Sequence, residues 1–304
     1  MYRMYDLFTS LPSSLACIIF QDRLSLKSII ALNSAYCSKT YRECFMEMFL
    51  SDEYIIRSQV LVTNVGTKPK SSLFALLMQK RKIQSVKLAQ PHVSRKQMKT
   101  LATHCKSFMH VHLDCIDSEK VNVWPLMLSN PNIVSLKITQ QSGRLIRPTV
   151  MTALPAGIQL PNLRSLSLLN INLHNQIQFL DLLRSTNGNV MKLDLSHCAI
   201  SPSMLLEVVG LCPHLTALAI PHIWAGIPDS DVAAIAAICP SIKHLNIDNV
   251  VRQDAGILSI VKNLVGLESL CICKENYELT DTTLVHIFCT LCGLTPHHPS
   301  WESL

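Results

Sequence analysis

An apolar pattern recurs along most of the chain. Hydrophobic residues occupy the first, fourth and sixth positions of five segments that begin 25 or 27 residues apart. Weaker copies precede them at spacings of 25, 25 and 30 residues. The strong copies begin at Leu163, Val190, Leu215, Ile242 and Leu267, and the weaker ones at Ile83, Phe108 and Ile133. A period in this range is typical of a solenoid that adds one short strand per repeat.

Alternation within each strand predicts which side chains face outward. Successive side chains of a strand point to opposite faces, so positions 4 and 6 are buried and positions 3, 5 and 7 are exposed. One strand cannot bury its apolar row alone, so the rows stack and helices cover the opposite side. We predict a concave protein-binding face from the outward positions; for any single residue the alternative is a merely solvated side chain. Its members include Lys87, His110, His112, Lys137, Lys192, Asp194, His244, Asn246 and Asp248.

The segments between strands predict helices. The clearest examples are residues 201–209 and 229–238, where apolar residues recur at helical spacing. Ser201 and Asp229 are expected as N-caps, and Pro202 suits a first helical turn.

The junction from helix to strand resembles that of the cysteine-containing class of leucine-rich repeats. Cys239-Pro240 ends a helix that follows an acidic cap, Cys212-Pro213 repeats the junction, and Cys198 takes the buried turn position after a strand. The resemblance covers roughly residues 83 to 294 and implies an α/β leucine-rich-repeat solenoid, with parallel strands on the concave face and helices on the convex face. It is specific to the fold and does not identify a function.

The first 50 residues have a different pattern. Pro12 can open a first helix, and a second apolar stripe follows near Ile29. The order resembles an F-box, although the tryptophan usual near the end of that motif is missing and Tyr41 stands near its place. The resemblance implies that this segment binds a Skp-type adaptor; the alternative is that the helices only cap the open end of the solenoid. The expected adaptor-binding residues are Leu11, Pro12, Leu15, Ile19, Phe20, Leu24, Leu26 and Ile30.

Together the two resemblances imply three regions and a function. Residues 1–55 are the F-box-like helical segment, residues 56–82 connect or cap, and residues 83–304 are the leucine-rich-repeat domain. An F-box before such repeats implies a substrate-recognition subunit of an SCF-type, cullin-RING ubiquitin ligase. Such a receptor holds a protein substrate near the ligase and needs no catalytic residue, so we do not expect an enzyme. The alternative is a repeat scaffold or adaptor without a ubiquitin link; for a regulator of a small GTPase, the polar residues that such activators require are not identifiable.

Composition refines this interpretation. The chain has 304 residues and is 48% apolar, but it has no apolar run near the roughly 18 residues that cross a bilayer. The first eight residues include an acidic one, so we expect no secretory signal and a cytoplasmic or nuclear protein without membrane contact. The twelve cysteines are scattered and several take core positions, so we expect reduced thiols.

Charge is uneven along the chain. Residues 1–110 hold 16 Lys and Arg against 6 Asp and Glu, whereas residues 111–304 hold 11 against 15. The basic half fits nucleic acid, an acidic protein or a simply solvated surface. Because no nucleic-acid motif accompanies it, we do not expect nucleic acid as a partner. We expect a monomer that works within a larger complex.

Two groups of residues suggest metal chemistry. His110, His112 and Asp114 share one strand face but lack a further ligand at a recognisable spacing. The C-terminal group contains a CxxC pair, which we favour as core cysteines of a ninth repeat over a zinc site. It consists of His286, Cys289, Cys292, His297 and His298. We expect no metal and no cofactor. Residues 140–148 are predicted as an inserted loop.

Overall fold

The structure is a computed structural model in which the chain divides into two compact units, Met1–Ile133 and Val134–Leu304. It describes residues 60–63, 83–89, 95–116, 122–140, 149–150, 157–173, 177–223, 227–248, 250 and 254–272, and single positions 280, 283, 285 and 287. The whole F-box-like segment and the C-terminal His and Cys residues fall outside this part of the chain.

The first unit contains a parallel arrangement of three strands. These are β1 (Val60–Thr63), β2 (Ser85–Ala89) and β3 (His110–Ile116), and β2 pairs with both of the others. Two helices, α1 (Arg95–His104) and α2 (Trp124–Leu128), pack against each other. Sequence analysis missed β1. Its Val60 pairs with Val86 and therefore takes position 4 of a repeat, but position 1 is then Arg57, so the apolar pattern is broken.

The second unit repeats one strand and one connection. Its main strands are parallel and pair in chain order. They are β4 (Ser135–Gln140), β6 (Ser165–Leu169), β8 (Lys192–Asp194), β9 (Ala217–Ala219), β10 (His244–Asn246) and β11 (Ser269–Cys271). A small second sheet pairs β5 (Thr149–Val150) with β7 (Ile171–Asn172). The helices are α3 (Ile177–Ser185), α4 (Pro202–Gly210), α5 (Asp229–Ile238) and α6 (Asp254–Asn263).

The predicted repeat register is confirmed in both units. Each of the eight recognised repeats has its strand beginning at position 3. In seven of them the residues at positions 1, 4 and 6 are at most 4% exposed, while Leu270 and Ile272 of the last repeat are half-buried. Gln140 is the buried last residue of β4, so the predicted insertion begins one residue later than expected; residues 141–148 lie outside the described part.

The helix starts confirm one predicted cap and correct another. Ser201 is the N-cap of α4, and its hydroxyl accepts a hydrogen bond from the backbone N–H of Met204 at 3.3 Å. Asp229 is not a cap: Pro228 is the N-cap of α5, and Asp229 is the first helical residue. An acidic residue there still complements the partial positive charge of the helix N-terminus, which explains why it resembles a cap in sequence.

Buried cysteines link neighbouring repeats of the second unit. Cys198 donates from Sγ to the carbonyl oxygen of Leu168 at 3.0 Å, and Cys239 donates to that of Cys212 at 3.4 Å. Cys198, Cys212 and Cys239 are fully buried, as the sequence predicts. Burial raises the pKa of the Cys198 and Cys212 thiols to about 12 and that of Cys239 to about 11. These cysteines act as small core residues.

No helix within the described ranges is long and apolar enough to cross a membrane.

Candidate protein-binding surface

The outward side chains of β4, β6, β8, β9, β10 and β11 form one surface of the second unit, here called the strand face. Most of these side chains are half-buried or exposed, in contrast to the buried residues between them. A depression of about 410 Å³ lies on this face and spans five strands, from β6 to β11. The alternation that predicted outward positions is thus observed, and the face is accessible to a partner.

At β9 the depression is lined by small outward residues, because both outward positions of this strand are alanines. Ala217 aligns with Lys192 of β8 on one side and His244 of β10 on the other. Ala219 aligns in the same way with Asp194 and Asn246. We call this place the alanine trough: it has Ala217 and Ala219 as its floor and Lys192, Asp194, His244 and Asn246 as its walls.

Asp194 is surrounded by neutral hydrogen-bond donors. The Ser167 hydroxyl donates to Oδ2 at 3.0 Å, and the Ser196 N–H donates to Oδ1 at 3.1 Å. The Ser196 hydroxyl also donates to Oδ1. These bonds fix the position of the Asp194 carboxylate on the strand face.

Asn246 repeats the same local turn two repeats later. Its Oδ1 accepts a hydrogen bond from the N–H of Asp248 at 3.1 Å, as Asp194 accepts one from Ser196. This bond fixes the Asn246 side chain, and Nδ2 has no acceptor among the residues that the structure describes. Asn246 is therefore a positioned donor at the wall of the trough.

Two histidines stack at the end of the strand face. The rings of His197 and His222 have centroids 4.7 Å apart and planes 8° from parallel. Both residues are in the left-handed region, with φ of 58° and 55°, and their N–H groups donate to the carbonyls of Pro221 and Asp248 at 2.9 Å. Asn170 takes the same repeat position with φ of 61°. The backbone of this turn is thus shared by successive repeats, and stacking of the histidines follows from it.

Charged neighbours surround the histidine pair. Nε2 of His222 lies 3.5 Å from Oδ2 of Asp248. Burial lowers the pKa of His197, and the nearby His222 lowers it further, while Asp194 and Asp248 act in the opposite direction. This end of the strand face therefore combines two carboxylates with imidazole rings, whereas the wall of the alanine trough at Ala217 carries Lys192.

The predicted binding residues are distributed over both units. Lys192, Asp194, His244 and Asn246 meet at the trough, and Asp248 adjoins it through Asn246 and His222. Lys137 lies on β4 of the same unit but does not line the depression. Lys87, His110 and His112 belong to the first unit, where Nζ of Lys87 lies 3.9 Å from Oδ2 of Asp114.

The structure adds residues that the sequence argument missed. His197 and His222 follow the strands at position 8, beyond the alternating stretch that we used to choose outward residues. Their signal was available, because histidine occurs at the same position of two consecutive repeats and stacked repeats bring equal positions together. Within the described residues, no three His, Cys, Asp or Glu side chains are placed to hold a metal ion.

Comparisons with known proteins support the architecture. No protein-family model matches the chain, and no curated protein matches it. A chain of the crystal structure of the Rad7 and Elc1 complex in yeast is similar over 94% of this chain and 80% of that one, with 14% identity and a TM-score of 0.58. A chain of the TLR13–ssRNA13 complex is similar over 82% of this chain and 36% of that one, with 15% identity and a TM-score of 0.51.

A third similar structure is the leucine-rich repeat-containing protein LegL7 from Legionella pneumophila, with 13% identity, coverage of 96% and 94%, and a TM-score of 0.43. This chain spans about a third of the TLR13 chain that it matches. At these identities the comparisons establish the fold alone. Together with the strand register, the two similar chains with TM-scores above 0.5 confirm the α/β leucine-rich-repeat solenoid that the sequence predicted.

Proposed function

We propose that this protein is a non-catalytic, protein-binding leucine-rich-repeat protein that recruits a protein substrate to an SCF-type ubiquitin ligase. The observation that carries the proposal is the strand face: an accessible depression whose polar side chains are fixed by local hydrogen bonds around a floor of two alanines. Such a preorganised surface loses little freedom when it binds. It provides a place for a substrate without any reaction chemistry of its own.

The link to ubiquitin rests on the F-box-like segment. Leu11, Pro12 and Leu15 begin the stretch that resembles an adaptor-binding motif. A receptor of this kind raises the effective concentration of substrate lysines near the ligase. The similar chain from the Rad7 and Elc1 complex supports the proposal, since it is a chain of this fold that was crystallised in a complex of two proteins. We place the protein in the cytoplasm or nucleus, where such ligases act.

The competing proposal is a scaffold whose N-terminal helices only cap the repeats. A pull-down of a purified Skp-type adaptor by the full-length chain separates the two. We expect wild type to retain the adaptor and a Leu11→Asp, Pro12→Ala double variant to lose it. The matched control is Val265→Asp, which changes an apolar residue that is 84% exposed in the second unit. A folded wild-type chain that retains no adaptor would refute the ubiquitin link and leave the scaffold.

A further inference from the structure

We propose that the alanine trough binds one glutamate or aspartate side chain of the protein partner, with its carboxylate between Lys192 and His244 above Ala217. The inference rests on the proposed function, because it names the chemistry of the partner that the strand face receives. The proposed binding point lies between Lys192 and His244, and not at the stacked pair of His197 and His222.

The shape of the trough admits a single side chain. Neighbouring strands lie about 4.8 Å apart, so the backbones of β8 and β10 are separated by about 10 Å across β9. Ala217 extends only a methyl group into this gap, whereas Lys192 and His244 rise beside it. A carboxylate that enters over Ala217 comes within reach of both walls, and the depression also has room for the adjoining backbone.

The two walls that flank Ala217 differ in their charged neighbours, since Nε2 of His244 lies 3.9 Å from Oε2 of Glu268. Lys192 is exposed and has no ion-pair partner among the described residues, and the same holds for Arg164, which precedes the adjacent strand β6. Lys243 differs, because its Nζ lies 2.6 Å from Oε1 of Glu268. Lys192 is therefore the charge on the trough wall that is available to an incoming anion.

The polar groups of the trough offer donors more than acceptors. Asp194 already accepts from Ser167 and twice from Ser196, and Oδ1 of Asn246 accepts from Asp248. Nδ2 of Asn246 has no acceptor in the described part of the chain. A ligand that supplies acceptor oxygens satisfies Lys192 and Asn246 together, whereas a cationic ligand would compete with Lys192.

A carboxylate fits this site better than a phosphate. A phosphoserine carries about two negative charges near neutral pH, whereas a glutamate or aspartate side chain carries one. Asp194 lies two residues from Lys192 on the same strand and repels a dianion more strongly than a single negative charge. The proposal therefore commits to an acidic side chain rather than to a phosphorylated one.

Peptide pools test this chemistry without knowledge of the natural partner. Four pools of random nine-residue peptides carry a fixed central Glu, Gln, Lys or phosphoserine, and their binding to the full-length chain is measured by fluorescence polarisation. We expect wild type to bind the Glu pool about fivefold more tightly than the Gln pool, which is the upper end for an exposed ion pair. Lys192→Glu should remove this preference and favour the Lys pool. Equal binding of the Glu and Gln pools would overturn the proposal, as would tighter binding of the phosphoserine pool.

Matched variants locate the effect in the trough. Lys262→Glu makes the same charge change at an exposed position of α6 and should keep the wild-type preference. Ala217→Trp should fill the trough and weaken binding of the Glu pool. Ala237→Trp, at an exposed position of α5, should leave that binding unchanged. Equal loss in both members of either pair would contradict the assignment. A Glu preference without adaptor retention refutes only the ubiquitin link, and adaptor retention without a Glu preference refutes only the trough.

Discussion

The imidazole rings of His197 and His222 stack in parallel, with centroids 4.7 Å apart, because both residues occupy the same left-handed turn of consecutive repeats. The backbone N–H of each residue donates to a carbonyl of the next repeat, which fixes the turn that carries the ring. Burial lowers the pKa of His197, and the neighbouring His222 lowers it further. The carboxylates of Asp194 and Asp248 act in the opposite direction but do not cancel this lowering.

The lowered pKa of His197 predicts a contribution to stability that depends on pH. The unfolded chain, with an ordinary histidine pKa of 6.5, binds the proton more readily than the folded chain. The contribution is therefore present above pH 6.5 and is lost as the pH falls through 6.5 toward the lower folded value. We expect His197→Asn, which the Asn170 turn shows to be compatible with the backbone, to lose less stability than wild type between pH 7.5 and 5.5. Urea unfolding measures this difference; equal losses in both proteins would contradict it.

Asn130 predicts a large stability effect from one buried amide. Its Oδ1 accepts from the N–H of Phe108 at 3.0 Å, and its Nδ2 donates to the carbonyls of Cys105 and Leu126 at 3.0 and 2.9 Å. Asn130→Ala removes these three buried hydrogen bonds and should lower the free energy of unfolding by about 3 kcal/mol. Asn189→Ala, which removes one exposed hydrogen bond to Pro161, should cost less than about 1 kcal/mol. Denaturant titrations measure both free energies. Similar costs for the two variants would contradict the stabilising role of the Asn130 hydrogen bonds.

The cysteines predict a graded pattern of alkylation. Cys198, Cys212 and Cys239 are buried and keep their protons because burial raises the pKa of each thiol to about 11 or 12, whereas Cys271 is exposed on β11. Since the thiolate is the reactive form, iodoacetamide at pH 8 should modify Cys271 first and the three buried residues only after unfolding. Peptide mapping by mass spectrometry follows each site, with Cys271→Ser as the control. Rapid native labelling of Cys198 would contradict the repeat register.

Leu218 predicts the cost of a cavity below the trough. It is 1% exposed and lies between Leu193 and Leu245 on the neighbouring strands. Leu218→Ala should reduce the free energy of unfolding by about 3 kcal/mol, whereas Val265→Ala, at an 84% exposed position, should change it by less than about 0.5 kcal/mol. Thermal or chemical unfolding provides the comparison. A small effect at Leu218 would mean that position 4 does not carry the core.

Much of the fold could be predicted because the spacing of apolar residues within each repeat indicates the register of its strand. Leu215, Leu218 and Ile220 mark one strand by their spacing, and Ser201 with Pro202 marks a helix start. Strand β1 was not predicted, because Arg57 occupies the position where the pattern requires an apolar residue. The contacts between polar residues were harder to predict, because they depend on which side chains neighbouring repeats place side by side. The trough exists because two alanines of β9 lie between larger residues of β8 and β10.

The central claim is that the strand face of the second unit holds a protein partner while another part of the chain holds the adaptor. Quantitative mass spectrometry of proteins captured with wild type, Ala217→Trp and Ala237→Trp in cells of the source organism tests it most directly. We predict that all three retain a Skp-type adaptor, and that a set of further proteins bound by wild type and Ala237→Trp is lost with Ala217→Trp. The same captured proteins in all three samples would contradict the claim.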